Sequence, residues 1–251
     1  MSIENIMQAN EKQIMNDDSL IESYDYRHDD LLRAQLHSAD RAMFSAMFQF
    51  GIDSNQFGKR LTAHQFRVAR EGARLLRFIG FSEIAAINFK AATLFHDIGK
   101  INDLYKPQIW TLKDRPTPEQ KALQKRHAAL GADMWQEWCE NKAPEIRTHP
   151  HYTIRRAVTK YHHERIDGNG PEKLSTADLP VFIRISCIVD AYDGDRIKRP
   201  HQPKRRTPRE ALRRMMALDD AQNKYEGAFD VDLLTKYVEM KEQELDIRIL
   251  Q

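Results

Sequence analysis

The 251-residue chain contains very little cysteine: Cys139 and Cys187 are its only two, and they lie far apart. A disulfide framework or a thiolate zinc site needs cysteines at closer, paired spacing. The sequence therefore predicts two ordinary reduced thiols, and it argues against small folds that are held together by disulfides or by structural zinc.

Long apolar segments are also missing, since no run approaches the roughly 20 residues that cross a bilayer. The N-terminus, MSIENIMQANEKQ, lacks the basic start and apolar stretch of a signal peptide. We therefore expect no membrane contact and a cytoplasmic location. With 41% hydrophobic and 30% charged residues, the composition is typical of one globular domain, alone or with an extension.

An excess of charge of one sign is absent as well, because the formal net charge is only +2. We therefore expect no duplex nucleic acid as a partner. Positive charge is nevertheless concentrated in residues 196–214, RIKRPHQPKRRTPREALRR. This run indicates either a solvated loop and helix start or a cationic rim that attracts phosphate, and the composition leaves both open.

Strand-type alternation persists nowhere, whereas apolar residues recur at helical steps of three and four. This pattern predicts an all-α protein. The predicted helices cover residues 62–79, 83–95, 118–138, 152–163, 178–193, 207–218 and 230–245.

Residues 1–55 have weaker periodicity and predict a helical N-terminal extension of one or two helices. Within it, an apolar stripe is formed by Ala42, Met43, Ala46, Met47 and Phe50. The stripe fits a segment that packs on the rest of the chain. It fits equally a dimerisation element or a contact with another protein, so a homodimer is one candidate assembly.

Histidines and aspartates recur at the ends and on the apolar faces of these predicted helices. A lone buried histidine is more often a hydrogen-bonded core residue than a ligand. Asp190 is harder to explain, because a carboxylate that faces a core is costly unless a cation or donors compensate it. The candidate residues are His64, His96, Asp97, His127, His162, His163 and Asp190, with His149 and His151 in a predicted loop.

Imidazole and carboxylate together suit borderline divalent metals such as iron, manganese, zinc, nickel or cobalt. The adjacent pair His96-Asp97 can serve two ions, with the carboxylate bridging them. Two ions that lie about 3.5–4 Å apart can hold a hydroxide and clamp a phosphoryl group. The pattern therefore indicates a binuclear site for phosphoester chemistry.

Six strings between residues 60 and 240 carry a family resemblance. They are LTAHQFRVA, LFHDIGKI, TPEQKALQKRHAALGA, YHHERIDGNGP, ISCIVDAYDGD with RP following, and GAFD. In order and spacing they resemble the HD superfamily of metal-dependent phosphohydrolases, and within it the HD-GYP branch. The resemblance implies an HD-domain helical bundle over residues 56–246, preceded by the extension at residues 1–55.

The resemblance also implies a role for each candidate residue. One metal ion is expected on His64, His96, Asp97 and Asp190. Asp97 is expected to bridge to a second ion on His127 and His162, with His163 at or beside the site. The expected cofactors are two divalent ions, iron or manganese first, with zinc, nickel, cobalt or magnesium as alternatives.

Lys100 and Arg199 are the substrate-binding residues that the resemblance implies. Lys100 is expected near the phosphate, where it stabilises developing negative charge and acts with Asp97 in catalysis. A cation that stabilises the dipole at a helix C-terminus is the alternative role for Lys100. Arg199, before Pro200, matches a basic position that contacts phosphate in the family.

Two positions depart from the family pattern. Where the branch reads Gly-Tyr-Pro, this chain has Gly170-Pro171-Glu172, and the missing tyrosine weakens the case for cyclic di-GMP as substrate. Some members carry an acidic ligand for a third metal four residues before the first histidine. Arg60 occupies that position here and cannot ligate a cation, so two metals are expected.

The function that follows is hydrolysis of a phosphoester bond in a cyclic dinucleotide or related nucleotide by a metal-bridging hydroxide. The alternatives are a nucleotidase-type phosphohydrolase, a mixed-valent di-iron oxygenase and a non-catalytic binding module. If residues 1–40 are accessory, their deletion is expected to leave metal binding intact.

Overall fold

The computed structural model of the chain describes residues 17–50, 56–175, 178–197, 204–218 and 224–249. Within these ranges the protein is all-α, and its only β pairing is an isolated bridge between Asp167 and Ser175. The all-α prediction is therefore confirmed. The helices are α1 (Asp30–Gln35), α2 (His37–Gln49), α3 (Phe57–Phe78), α4 (Glu83–Thr93), α5 (Pro118–Lys125), α6 (His127–Lys142), α7 (Pro150–Tyr161), α8 (Val181–Arg196), α9 (Pro208–Met215) and α10 (Val231–Leu245).

Local sequence explains where several of these helices begin and end. Ser82 accepts a hydrogen bond from the Ala85 backbone N–H at the start of α4. Thr117 and Gln120 form a capping box at the start of α5. After α3, Gly80 adopts a φ of 98°, a left-handed conformation that glycine tolerates and that ends a helix.

The prediction of one helix over residues 118–138 was wrong, because the chain turns at Arg126 and forms α5 and α6 instead. Two carbonyl groups of the last α5 turn accept bonds from side chains. The Tyr105 hydroxyl donates to the Leu123 carbonyl at 2.8 Å, and His127 Nδ1 lies 2.6 Å from the Gln124 carbonyl. His127 is therefore the first residue of α6 rather than a residue within a longer helix.

A close backbone approach fixes the turn that carries His96 and Asp97. This turn follows α4 and leads into a short 3-10 helix, Ile98–Ile101, which packs against α6. A Cβ atom at Gly99 would lie 1.9 Å from the His127 carbonyl oxygen. Only glycine allows this contact, which holds the two segments that carry His96, Asp97 and His127 against each other.

The described part of the N-terminal segment shares the main hydrophobic core. Ile21, Leu32 and Leu36 are fully buried in the same cluster as side chains of α3, α4, α7 and α8. Asp40 receives a two-pronged hydrogen bond from Arg155 of α7 at 2.8 and 2.9 Å. Residues 17–40 therefore contribute to this core, and the effect of deleting residues 1–40 on metal binding stays a prediction.

The structure also bears on the two cysteines and on membrane-spanning segments. Cys139 and Cys187 are both free, as predicted, and both are buried. Among the helices in the described ranges, none is long and apolar enough to span a membrane.

The shared core predicts the effect of trimming one leucine of the N-terminal segment. Leu32 is fully buried, so Leu32→Ala should lower the free energy of unfolding by about 2–5 kcal/mol. Leu245→Ala is the matched control, because Leu245 is 37% exposed at the end of α10. Urea denaturation measures both. Equal losses in the two variants would contradict the shared core.

Candidate metal centre

Side chains from five separate parts of the chain gather at one place. His64 projects from α3, His96 and Asp97 from the turn after α4, and Asp190 from α8. The first residue of α6, His127, and the two residues that follow α7, His162 and His163, complete the group. The predicted ligands that lie far apart in sequence therefore lie together in space.

Asp97 is at the centre of this group and is fully buried. Its Oδ2 atom lies 3.4 Å from His64 Nε2 and 3.7 Å from His96 Nε2. Its Oδ1 atom lies 3.0 Å from His127 Nε2 and 3.6 Å from His162 Nε2. The two oxygens of one carboxylate therefore face two different pairs of imidazoles.

Asp190 lies on one side of this arrangement. Its Oδ1 atom is 3.0 Å from His64 Nε2 and 3.5 Å from His96 Nε2, so it faces the same pair as Asp97 Oδ2. Its Oδ2 atom is 3.5 Å from His163 Nδ1. The side chain of His163 is 35% exposed, whereas His96 and His162 are fully enclosed, so the group reaches solvent beside His163.

Backbone carbonyls orient three of the imidazoles. His96 Nδ1 lies 2.9 Å from the Thr93 carbonyl, His127 Nδ1 2.6 Å from that of Gln124, and His162 Nδ1 2.8 Å from that of Thr159. A carbonyl can only accept, so each Nδ1 carries a proton, and Nε2 is the ring atom that each histidine can offer to a metal ion. Metal-binding histidines typically donate their other ring N–H to a carbonyl or carboxylate in this way.

His64 is oriented by a carboxylate, that of Asp193, which was not among the candidate residues. Its Nδ1 atom lies 2.7 Å from Asp193 Oδ2, and Arg67 in turn donates to both oxygens of Asp193 at 2.6 and 2.9 Å. Asp193 lies three residues after Asp190 on α8, and that spacing places both on one helix face. This three-residue spacing was the feature of the sequence that could have pointed to Asp193.

The donor set fits metal ions. The ligand atoms form two groups, His64 with His96 and Asp97, and His127 with His162 and His163, each with all atoms within 4.8 Å of one another. Atoms bound at about 2.1 Å to one ion lie roughly 3.0–3.4 Å apart. The 3.3 Å between His127 Nε2 and His162 Nε2 falls in this range. Both Nε2 atoms could therefore bind the same ion.

The charge states also suit cation binding. Burial acts to raise the pKa of Asp97, but the Lys100 ammonium and the neighbouring imidazoles hold that pKa well below its usual range. Burial lowers the pKa of His127, which keeps it neutral. Burial likewise acts to lower the pKa of His64, but the surrounding carboxylates raise it well above its ordinary value. A metal ion would replace the proton that His64 carries.

Comparison with known proteins identifies the family. The family model for the HD domain matches residues 61–195, which is more than half of the chain. The chain belongs to the HD domain family. HD domains are metal-dependent, and this agrees with the two groups of ligand atoms.

Two relatives match more than half of the chain. A 3'3'-cGAMP-specific phosphodiesterase of Vibrio cholerae is 28% identical over 145 residues, which are 56% of this chain and 25% of that protein. A cyclic di-GMP phosphodiesterase of Pseudomonas aeruginosa is 29% identical over 148 residues, 59% of this chain and 31% of that protein. The chain thus spans about a quarter to a third of these relatives.

A solved structure shares the fold over most of the chain. It is an HDG"Y"P protein from Bdellovibrio bacteriovorus, with a TM-score of 0.58 and 15% sequence identity. The match covers 94% of this chain and 71% of that one. At this level of identity the likeness shows the fold alone, and it agrees with the predicted HD-domain bundle.

Lys100 lies at the candidate metal centre, three residues after Asp97. Its Nζ atom contacts Asp97 Oδ2 and lies 5.6 Å from the ring centroid of Trp110. The Trp110 indole N–H also donates to the Lys100 carbonyl at 3.1 Å. The ammonium therefore lies beside the candidate ligands. A lysine that only stabilised a helix dipole would not need this position.

The loop that replaces Gly-Tyr-Pro in this HD domain is held by Glu164. The Glu164 carboxylate accepts hydrogen bonds from the backbone N–H groups of Glu172 and Leu174 at 2.6 and 3.1 Å. A Cβ atom at Gly170 would lie 2.8 Å from the Arg165 backbone nitrogen and 2.3 Å from Glu164 Oε2, so a larger residue there would displace the loop or the Glu164 side chain. The turn is therefore ordered by its own contacts although the tyrosine is missing.

The other residues considered in the sequence lie away from the candidate metal centre or outside the described residues. His149 and His151, predicted in a loop, lie at the start of α7, where they contact Asp29 and Tyr24. Arg60 is exposed on α3. Arg199 lies outside the described residues.

The basic run is described only at residues 196–197 and 204–214. Two of its arginines, Arg206 and Arg214, bond to Asp195 of α8 at 3.3 and 2.5 Å. Lys204 bonds to Glu210 at 2.8 Å. In the described part of the run, these three charges are paired within the fold, which supports the interpretation as a solvated loop and helix start for them.

The role of Asp193 in orienting His64 predicts an effect on metal affinity. Asp193→Asn keeps the side-chain shape but removes the charge. Changes to a residue that hydrogen-bonds to a metal-binding histidine typically weaken metal binding by about 10–100-fold. We expect a loss in this range for Mn²⁺, measured by competition with a chelator. The control is Asp133→Asn, since Asp133 is exposed on α6. Unchanged Mn²⁺ affinity in Asp193→Asn would show that Asp193 does not support the site.

Proposed function

We propose that this HD domain is a metal-dependent phosphodiesterase that hydrolyses a phosphoester bond of a cyclic dinucleotide or related nucleotide. The observation that carries the proposal is the position of Asp97. Its two oxygens face two separate pairs of Nε2 atoms, at 3.0 to 3.7 Å. This is the arrangement that a carboxylate needs to bridge two ions.

The proposed ligands follow from these distances. One ion is assigned to His64, His96, Asp97 and Asp190. The other is assigned to Asp97, His127 and His162, with His163 beside it. Iron or manganese is proposed first, although imidazole and carboxylate donors accept several divalent metals and availability decides among them.

The proposed domain is residues 56–246, with residues 1–55 as an extension whose described part, residues 17–50, shares its core. This division is supported by the family match at residues 61–195 and by the burial of Ile21, Leu32 and Leu36. A homodimer stays a prediction.

The chain's own residues would bind and orient the phosphoryl group. When bound, the metal ions supply Lewis acidity and lower the pKa of water so that it can attack phosphorus near neutral pH. Lys100 is 18% exposed beside Asp97, so its ammonium can reach a phosphoryl oxygen and stabilise negative charge there. Arg199 is proposed as a further phosphate contact on the resemblance alone.

The substrate class rests on the relatives. Both named relatives are phosphodiesterases of cyclic dinucleotides, and both match this chain over part of their length only. The Gly170-Pro171-Glu172 loop, which lacks the tyrosine, favours a non-catalytic binding module as the second candidate. The set of candidate metal ligands argues against a binding module, because a module without metal chemistry would not need them.

A substrate screen tests the proposal directly. The full chain would be loaded with Mn²⁺, or anaerobically with Fe²⁺, and supplied with cyclic dinucleotides, linear dinucleotides and bis-p-nitrophenyl phosphate. We expect hydrolysis of at least one cyclic dinucleotide. Asp97→Ala should abolish both metal retention and hydrolysis, because it removes the ligand common to both ions. A metal-loaded protein that hydrolyses none of these compounds would favour the binding module.

Lys100→Ala separates metal binding from catalysis in the same assay. Removing a group that stabilises charge in the transition state lowers kcat by roughly 10²–10³-fold, while the metal content should stay unchanged. Lys106→Ala is the matched control, because Lys106 is exposed six residues further along the chain, between two short 3-10 helices. Equal kcat values for the two variants would exclude the proposed role of Lys100.

A further inference from the structure

A tryptophan lies beside two of the side chains that the proposed function uses. Trp110 is the last residue of a short 3-10 helix, Pro107–Trp110, which comes after Lys100 in the chain. The centroid of its ring lies 5.7 Å from that of His127, with the two ring planes at 87°, and 5.6 Å from Lys100 Nζ. One side chain therefore lies against both a candidate metal ligand and the ammonium that is proposed to contact phosphate.

The indole contacts Lys100 at two points, one on the backbone and one at the end of the side chain. Its N–H group donates to the Lys100 carbonyl at 3.1 Å, which fixes the backbone from which the side chain projects. The ammonium lies over the ring, within the roughly 6 Å at which an aromatic face attracts a cation, and tryptophan is the strongest aromatic partner for this contact. Because a lysine side chain is flexible, the two contacts together restrict where its ammonium can lie.

The ion pair with Asp97 is not enough to hold the ammonium in place during catalysis. Lys100 Nζ contacts Asp97 Oδ2, an oxygen that the proposed function assigns to a metal ion. Two positive charges at one oxygen repel each other, so the ammonium is held less firmly there when the carboxylate binds metal. The indole face attracts the ammonium in either case, and it can therefore keep Lys100 beside the metal centre.

The surrounding fold holds the indole itself. Phe57, the first residue of α3, lies parallel to it at 9° with 6.1 Å between the ring centroids, and Tyr105 lies 4.9 Å from it. The Tyr105 hydroxyl donates to the Leu123 carbonyl of α5 at 2.8 Å, and Gln124 Nε2 donates to the Ile109 carbonyl at 2.6 Å. The 3-10 helix is thus joined to the end of α5. The indole is therefore a fixed support for a flexible side chain.

We propose that Trp110 is a positioning residue that holds the Lys100 ammonium at the metal centre, where it meets a phosphoryl oxygen. The indole contacts neither metal nor substrate in this role and acts only through Lys100. Its effect on rate rests on the proposed phosphodiesterase function, whereas the contact between indole and ammonium can be measured without metal or substrate. Removing the ring should therefore cost part of the rate that Lys100 supplies, and nothing where Lys100 is absent.

The contact is measured by NMR on the full-length protein after its lysines have been given ¹³C-labelled methyl groups, a change that keeps their charge. A group that lies over an aromatic ring has its signal shifted upfield. We expect the signal that Lys100→Ala removes to lie upfield of those of exposed lysines, and Trp110→Ala to return it to their position. Ile109→Ala is the matched control, because Ile109 is half-buried in the same 3-10 helix, and it should leave the signal in place.

A double-mutant cycle with the Mn²⁺-loaded protein and bis-p-nitrophenyl phosphate measures the effect on catalysis. Trp110→Ala should lower kcat about tenfold and leave KM and the metal content unchanged. Trp110→Phe keeps a ring and should recover part of the loss. In the Lys100→Ala background, Trp110→Ala should change kcat by less than about twofold, because both residues act through one contact. A tryptophan that served folding alone would lower kcat by the same factor in both backgrounds.

Two results would overturn the proposal. The first is a Lys100 methyl signal that stays in place in Trp110→Ala, or that Ile109→Ala moves equally. The second is a pair of kcat losses, for Trp110→Ala and Lys100→Ala, that multiply in the double variant. Failure of the proposed function is distinguishable, because the wild-type protein would then hydrolyse nothing while the methyl signal still decides whether the indole holds the ammonium. If Trp110→Ala fails to fold, Trp110→Leu, which keeps the apolar bulk without a ring, replaces it in both measurements.

Discussion

The structure depends on one buried carboxylate. Asp97 has no exposed surface, and an ionised carboxylate in such a place is strongly destabilising unless cations and donors compensate it. The chain surrounds it with Lys100 and with imidazoles on both sides, and these hold its pKa well below the usual range. The rest of the HD domain can be understood as the framework that brings those groups to the carboxylate and holds the imidazole Nε2 atoms close to its two oxygens.

Backbone geometry, more than side-chain packing, supplies that framework. The helices end or begin where a histidine ring bonds to a nearby carbonyl group, as His96 does with Thr93 and His162 with Thr159. Gly99 lets the turn after α4 approach the His127 carbonyl, where any side chain would clash. Helix termini and a glycine contact therefore set the positions of the ligands, and the buried hydrophobic faces of the helices hold those termini together.

Much of this could be predicted from the sequence, and the missing parts have physical reasons. Helical periodicity gave the fold class, and the ordered strings gave the residues that meet around Asp97. The break at Arg126 could not be predicted, because it depends on a bond from Tyr105, which is distant in the chain. Asp193 was missed because it bonds to a ligand rather than to the site itself. The buried pair of Asp40 with Arg155 joins segments 115 residues apart, which no local pattern reveals.

Anomalous diffraction at the manganese edge, from crystals of the full chain grown with excess Mn²⁺, tests the central claim most directly. The account predicts two peaks on opposite sides of the Asp97 carboxylate. One should lie against Nε2 of His64 and His96, and the other against Nε2 of His127 and His162. Absence of both peaks, with these imidazoles bonded only to protein neighbours, would contradict the account.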